Sequence, residues 1–327
     1  MLRRQDVGHR VVVRRIVGES HDRPLFTDAL GELVDLTETD LTIATAKGTL
    51  RVPLREVHRA KRVPAARRPP AADVVALELA ANDAWPAPIQ ARLGRWILRA
   101  GQNWTGRANS ALAVGDPDRT LEEAIDAVEV WYGEHGQQPL INAPMPLAAP
   151  VNAALDARGW TARPLTLVQT ALVAPLLTTL PARADLPPVE LADSPTDEWF
   201  AMVADHKGAL PETAVRILTG VPDAVFAHLR DAEGELIAIA RGAVTGPDRW
   251  FGISLLQTAP AARRRGVAQH VLRGVAQWAA QRGSTGAYLQ VEERNTAAVA
   301  LYGKVGFATH HTYLTRVSPG SHPGKLS

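Results

Sequence analysis

Three consecutive arginines stand directly before a glycine in Arg263-Arg264-Arg265-Gly266-Val267-Ala268. A helical apolar period follows, with Ala268, Val271, Leu272, Val275 and Ala279 on one stripe and Gly283 as the stop. Glycine lets the backbone approach a ligand closely because it has no Cβ. The first N–H groups of a helix have no intrahelical acceptor, and the helix dipole adds partial positive charge there. Together these features form an anion cradle suited to a pyrophosphate. Taken alone, the stretch also reads as a solvated basic cap. After the next strand comes Asn295-x-x-Ala298-x-x-Leu301-Tyr302-x-x-x-Gly306-Phe307. Asn295 would cap a second helix whose Ala298, Leu301, Tyr302 and Val305 share a face, closed by Gly306.

The elements that must position these groups form a mixed α/β pattern over residues 187–319. Thr196–Asp205 and Glu212–Leu218 have helical spacing, and Ala224–Leu229, Leu236–Val244 and Trp250–Thr258 read as successive strands. Helix 267–281, strand Ala287–Val291 and the Asn295 helix complete the run. In this order the two motifs resemble the GNAT superfamily of acetyl-CoA-dependent N-acetyltransferases. The resemblance implies a mixed, splayed central sheet with flanking helices. Acetyl-CoA is then the co-substrate, with Arg263, Arg264, Arg265, Gly266, Val267 and Ala268 around its pyrophosphate and Asn295 in the second cofactor motif. A bulge is expected to part strand 250–258 from its parallel neighbour and leave the backbone of Leu256, Gln257 and Thr258 for the pantetheine arm and thioester.

The implied chemistry is direct transfer of an acetyl group to a primary amine, of a small molecule, peptide or protein lysine or N-terminus. Backbone N–H groups stabilise the oxyanion and Tyr302 acts as the acid. The other reading of Tyr302 is a core aromatic. No general base is legible: strand 250–258 offers Ser254 but no carboxylate, and Glu292 and Glu293 read as solvated or capping residues. Water relaying the amine proton is an equal alternative. His310 and His311 lie on a late strand and read as structural, and no His/Asp/Glu spacing suggests a metal.

Residues 72–183 carry a faint second copy. At an offset of 147, Trp131 falls on Trp278, Gly136 on Gly283, Gly159 on Gly306 and Trp160 on Phe307; at 146, Trp104 and Gly106 fall on Trp250 and Gly252. Its chemistry is absent. Asp116-Pro-Asp-Arg119 stands where the arginines and glycine should be, Leu155 replaces the tyrosine, and Thr120-Leu-Glu-Glu123 makes a capping box from its own side chains. The expectation is a degenerate GNAT-like domain that holds no acetyl-CoA. It would instead bound the acceptor pocket, with Trp104 and Arg107 as candidate walls, or support the fold.

Residues 1–63 read as a small β-barrel, with strands at Val11–Ile16, Gly31–Leu36, Leu41–Thr45 and Thr49–Val52. It resembles the SH3-like modules that precede some bacterial acetyltransferases, so the chain is similar to three-part bacterial GNAT proteins, some described as histone-acetyltransferase-like. Residues 1–70 hold 14 Lys+Arg against 9 Asp+Glu, a charge of +5, while the remainder holds 22 against 25, or −3. That asymmetry allows a different class of function: a protein that senses acetyl-CoA while Arg55, Arg59, Lys61, Arg62, Arg67 and Arg68 engage nucleic acid. Phe26 is the one aromatic ring of that segment, too few for a single-strand stacking platform. Zero cysteines among 327 residues exclude disulfides, thiolate nucleophiles and Cys-ligated metals. No apolar run reaches the ~18 residues of a membrane span; Leu167–Leu180 is broken by Gln169, Thr170 and Pro175. The N-terminus lacks the pattern of a secretory signal, so a cytoplasmic protein is expected. Acceptor identity and oligomeric state are not written in these motifs.

Overall fold

Alternation of apolar and polar residues sets the first sheet. The computed structural model describes residues 2–20, 23–45, 48–63 and 69–319, which fall into two compact units, Met1–Arg68 and Pro69–Ser327. In the first, β1 (Arg10–Ser20), β2 (Arg23–Leu36), β3 (Asp40–Thr45), β4 (Gly48–Pro53) and β5 (Val57–Arg62) pair antiparallel in the order β4-β3-β2-β1-β5. Val11, Val13, Leu33, Leu41, Ile43 and Val52 fill its core. Among the described residues, outer strands β4 and β5 do not pair with each other, so the expected barrel is seen as an open sheet. β5 is polar at four of six positions, which is why its strand pattern is faint. Arg55, Arg59, Lys61 and Arg62 are exposed, and Phe26 has His58 as its ring neighbour at 4.6 Å. Arg67 and Arg68 lie outside the described residues.

The second unit runs α1 (Ala71–Asp83), β6 (Ile89–Leu93), β7 (Trp96–Ala100), β8 (Ala111–Leu112), α2 (Leu121–Glu134), β9 (Leu140–Met145), α3 (Ala149–Ala157), β10 (Thr161–Ala162), β11 (Thr166–Leu172) and α4 (Val173–Thr179). It continues with β12 (Glu190–Ala192), α5 (Asp197–Lys207), α6 (Glu212–Thr219), β13 (Ala224–Arg230), β14 (Leu236–Thr245) and β15 (Trp250–Thr258). The chain closes with α7 (Val267–Gln281), β16 (Gly286–Glu292), α8 (Thr296–Lys304) and β17 (Ala308–Val317). The internal repeat is physical. α3 and α8 start at 149 and 296, a separation of 147. β8 pairs parallel with β9 as β15 does with β16.

The two copies are not separate sheets. One twelve-stranded sheet has the order β12-β13-β14-β15-β16-β11-β17-β9-β8-β7-β6, with β10 beside β17. Each copy's last long strand is exchanged: β11 pairs along β16, and β17 along β9. Between them Thr166 pairs with Tyr313, and 313 − 166 is again 147, so equivalent residues meet at a pseudo-two-fold axis. Exchange removes two open sheet edges that separate domains would present. It also merges cores: Leu167, Val173, Leu176 and Leu180 of the first copy pack with Val271, Leu272 and Val275 of α7. Arg273 Nη1 donates to the Leu177 and Leu180 carbonyls at 2.6 and 2.7 Å, satisfying the end of α4.

One expected correspondence is corrected. Trp104, Gly106 and Arg107 do not occupy the counterpart of β15; they lie in the loop between β7 and β8. Gln102 and Asn103 have positive φ, and Asn109 Oδ1 accepts from the Gly101 and Asn103 amides at 2.7 and 2.9 Å, so the chain turns where a strand was expected.

Candidate functional site

The site begins where the sheet opens. β15 and β16 pair parallel only at Phe251–Ala287, Gly252–Tyr288 and Ile253–Leu289. On the other side of β15 the register against β14 jumps between Ile239–Gln257 and Arg241–Ser254, with Leu255 at φ 53°. This is a bulge, and it turns β15 away from β16. Leu256, Gln257 and Thr258 follow it beyond the last pair with β16, as expected. Thr258 differs in one respect: its carbonyl accepts from Arg263 Nε at 3.3 Å.

A groove of about 940 Å³ lies on one side of the opening. It is lined by Leu256, Gln257 and Thr258, by Arg263, Arg264, Gly266, Val267 and Ala268, and by Asn295. Gly266 is the N-cap of α7 at φ 80°, and Arg264 is also left-handed at φ 64°. The first intrahelical acceptor is the Gly266 carbonyl, used by His270, so the amides before His270 remain for a ligand. Among the described residues none of the three arginines is in an ion pair, and all are exposed. Arg265 is the exception to the predicted set: it does not line the groove, and its carbonyl accepts from Arg183 Nη1 at 2.9 Å. Asn295 caps α8, its Oδ1 accepting from the Ala298 amide at 3.2 Å. Gln269 and Lys304 also line the groove and were missed. Lys304 had a signal, one turn beyond Leu301 on the same helix.

A second cavity of about 520 Å³ lies on the other side and shares Leu256, Gln257, Asn295 and Ala298 with the groove. Tyr302 lines it, packs partly buried against the core and meets Phe307 edge-on at 5.8 Å. Burial pushes its phenol up to about 12. Ser254 and Glu292 line the same cavity; Ser254 Oγ is buried without a protein partner, and Glu292 pairs with Arg294 at 2.5 Å. The first copy closes the rest. Trp85, Trp104, Arg107 and Arg163 are walls. Trp85 and Trp104 stack at 5.5 Å, and Trp85 Nε1 donates to Thr105 Oγ1 at 3.1 Å. Trp85 and Arg163 have no sequence signal, because long-range packing brings them to the site: Trp85 through the core that α1 shares with α6 and β14, and Arg163 through the strand exchange, its N–H bonded to the Thr315 carbonyl at 2.9 Å.

Thr120 and Glu123 cap each other, with Glu123 N–H donating to Thr120 Oγ1 at 3.3 Å and Thr120 N–H to Glu123 Oε2 at 3.0 Å. The loop before them lies on the β6–β7 turn, where a Cβ on Gly94 would meet Pro117 at 2.4 Å and Arg95 N–H reaches the Asp116 carbonyl at 2.7 Å. His311 is structural: buried, with Nε2 at 2.7 Å from Glu78 Oε1 and Nδ1 at 2.9 Å from His310 Nδ1. Among the described residues no cluster of three or more His, Asp or Glu could hold a metal, and no helix is long and apolar enough to cross a membrane.

Residues 71–315 match the family described as probable histone acetyltransferase Rv0428c C-terminal. The probable histone acetyltransferase Rv0428c of Mycobacterium tuberculosis is 31% identical over 332 residues, covering 96% of this chain and 97% of its own. The uncharacterized N-acetyltransferase YobR of Bacillus subtilis is 27% identical, covering 75% of this chain and 99% of its own. Among solved structures, a GCN5-related N-acetyltransferase from Kribbella flavida has a TM-score of 0.57 at 16% identity, covering 79% of this chain and 98% of its own. A tandem GNAT protein from the clavulanic acid biosynthesis pathway has a TM-score of 0.53 at 14% identity, covering 76% and 94%. The two structural likenesses concern the fold.

Proposed function

Because this chain belongs to the Rv0428c C-terminal family of GNAT N-acetyltransferases, we propose that it moves the acetyl group of acetyl-CoA to a primary amine held in the 520 Å³ cavity. The observation that carries this reading is the opening between β15 and β16, where the cofactor groove and the acceptor cavity meet at Leu256 and Gln257. A glycine cradle at the head of α7 and unpaired arginines fit a pyrophosphate. Acetyl-CoA supplies the activated thioester; the protein's residues do the rest.

Arg263, Arg264 and the α7 amides hold the anionic end, and the groove wall of Ala297, Leu301 and Lys304 flanks it. The β15 amides freed by the bulge polarise the acyl oxygen in a preorganised site, which stabilises developing negative charge without reorganisation. Tyr302, a phenol protonated at neutral pH in any case and made a weaker acid by burial, which raises its pKa to about 12, donates its proton to the sulfur as the C–S bond breaks, and the attacking amine returns a proton to it through water. An amine in one cavity and an acyl carbon at the end of the other would meet where the two share Leu256, Gln257, Asn295 and Ala298, which would convert a bimolecular encounter into an oriented one. The first copy contributes walls to the acceptor side and keeps its own cofactor end shut.

Two measurements test this reading together. Thiol release from acetyl-CoA across an amine panel should show turnover, with no background because the chain has no cysteine. Calorimetric titration should give one acetyl-CoA per chain. Two per chain would show that the Asp116–Arg119 loop admits a pyrophosphate, and no binding would remove the acetyl-transfer reading.

A further inference from the structure

The charges around the acceptor cavity do not balance. Its lining carries Arg107, Arg163 and Arg294 against one carboxylate, Glu292, which is already paired with Arg294. Arg107 and Arg163 are half-buried, and among the described residues neither guanidinium forms an ion pair or donates a side-chain hydrogen bond. Arg163 feels Glu292 only at longer range. Both line the cavity, and Arg163 lies against the loop that carries Arg107: a Cβ on Gly106 would lie 2.9 Å from Arg163 Nη1. Arg107 lies 5.2 Å from the Trp85 ring centroid. On the same ring, at 5.6 Å, sits a further cation, Arg241, 1% exposed and without a carboxylate partner. Its Nε and Nη1 donate to the Leu218 and Ala84 carbonyls, and its Nη2 has no partner. Trp104 Nε1 is another buried donor without an acceptor. Glu78, whose charge reaches the cavity-lining Tyr313, is committed to His311.

Buried charges and donors are costly unless something pairs with them. A cavity wall with surplus guanidiniums and N–H donors is therefore complementary to an anion that the folded chain does not itself provide. Resting on the acetyl-transfer reading, we propose that the acceptor is a small amine that also carries an anionic group, a carboxylate or a phosphate, received by Arg107 and Arg163. The amine end reaches the β15–β16 opening, and the anionic end lies on the wall that the first copy supplies. Guanidinium forks suit either oxyanion, and the Trp85–Trp104 stack offers a flat apolar face to the body of the molecule. A lysine-rich protein tail has the wrong sign for this cavity. The reading also gives the disarmed copy a chemical task, since Arg107 and Arg163 both belong to it.

The test uses the full chain and matched acceptors: the standard α-amino acids against their amides, O-phosphoethanolamine against ethanolamine, and a lysine-rich histone-tail peptide. The acid-bearing member of a pair should have kcat/KM higher by about ten- to a hundredfold, as expected for a charge-assisted contact. Preference within the first or second pairs identifies carboxylate or phosphate. In Arg163→Gln and Arg107→Gln that preference should collapse toward equality, chiefly through KM for the acid-bearing amine. Thermal melting checks that the variants fold, and the wild-type comparison stands without them. Neutral amines used as well as their acidic partners, or the basic peptide used best, would overturn the proposal. So would acetyl-CoA binding without turnover of any acid-bearing acceptor. Failure to bind acetyl-CoA at all is a separate result, which removes the underlying acetyl-transfer reading.

Discussion

Replacing Gly266 probes the cofactor cradle at its tightest point. Its φ of 80° places it in the left-handed region, and a Cβ built on it would lie 2.0 Å from Arg183 Nη1. Arg183 is a long, half-buried side chain whose flexible tip can move aside by giving up its bond to the Arg265 carbonyl while keeping Asp185. The main structural cost is then the backbone, about 1–2 kcal/mol for a non-glycine residue in this conformation, with Asp among the better tolerated. At about 2–4 °C per kcal/mol for a unit of this size, Gly266→Ala and Gly266→Asp should melt about 2–8 °C below the wild type and remain folded. Binding should separate them. The Asp carboxylate sits at the head of α7 and competes for the same amides and guanidiniums as a pyrophosphate. Loss of one charge-assisted contact, about 1.5–3 kcal/mol, predicts acetyl-CoA affinity at least roughly tenfold weaker. Gly266→Ala carries the strain without the charge and should lose less. Calorimetry on both variants, paired with melting curves, reads the two effects independently. Unchanged acetyl-CoA affinity in folded Gly266→Asp would refute the placement of the anion at this helix end. Equal losses in the two variants would refute the electrostatic part.

Tyr302→Phe keeps the ring against Phe307 and the core and removes only the hydroxyl, so kcat should fall by about 10²–10⁴ with acetyl-CoA affinity nearly intact. Since its pKa is pushed up to about 12, Tyr302 stays protonated and should add no alkaline limb to the rate profile below about pH 11; wild-type turnover in the variant, with chemistry rate-limiting, returns Tyr302 to a packing role. Residues 187–319 expressed alone should fail to give a folded monomer, because β16 loses its seven-residue pairing with β11 and the α7 core loses Leu167, Val173, Leu176 and Leu180; cooperative melting of a monomeric fragment would show that the exchange is dispensable.

The chain's local chemistry is written in the sequence. The α7 helix, its left-handed glycine, the Asn295 cap and the capping box at Thr120 all depend on a few neighbouring residues, and helical period plus cap residues specify them within one or two turns. The 147-residue repeat was likewise legible, because tryptophans and glycines at element ends keep their spacing when the chemistry between them is lost. What the sequence could not determine is partner choice between distant strands. β11 falls almost wholly inside the apolar run Leu167–Leu180, whose pattern names no partner, and only the edges left open by β16 and β17 decide that it lies between them. That choice brings Arg163 to the acceptor cavity and makes two expected domains into one sheet. Likewise, loop 101–110 carries Trp104 and Arg107 to the site through hydrogen bonds to Asn109 and stacking on Trp85, contacts that no periodicity encodes. Local order follows from short-range sterics and hydrogen bonding, while the acceptor side is assembled by long-range burial, which depends on the whole chain at once.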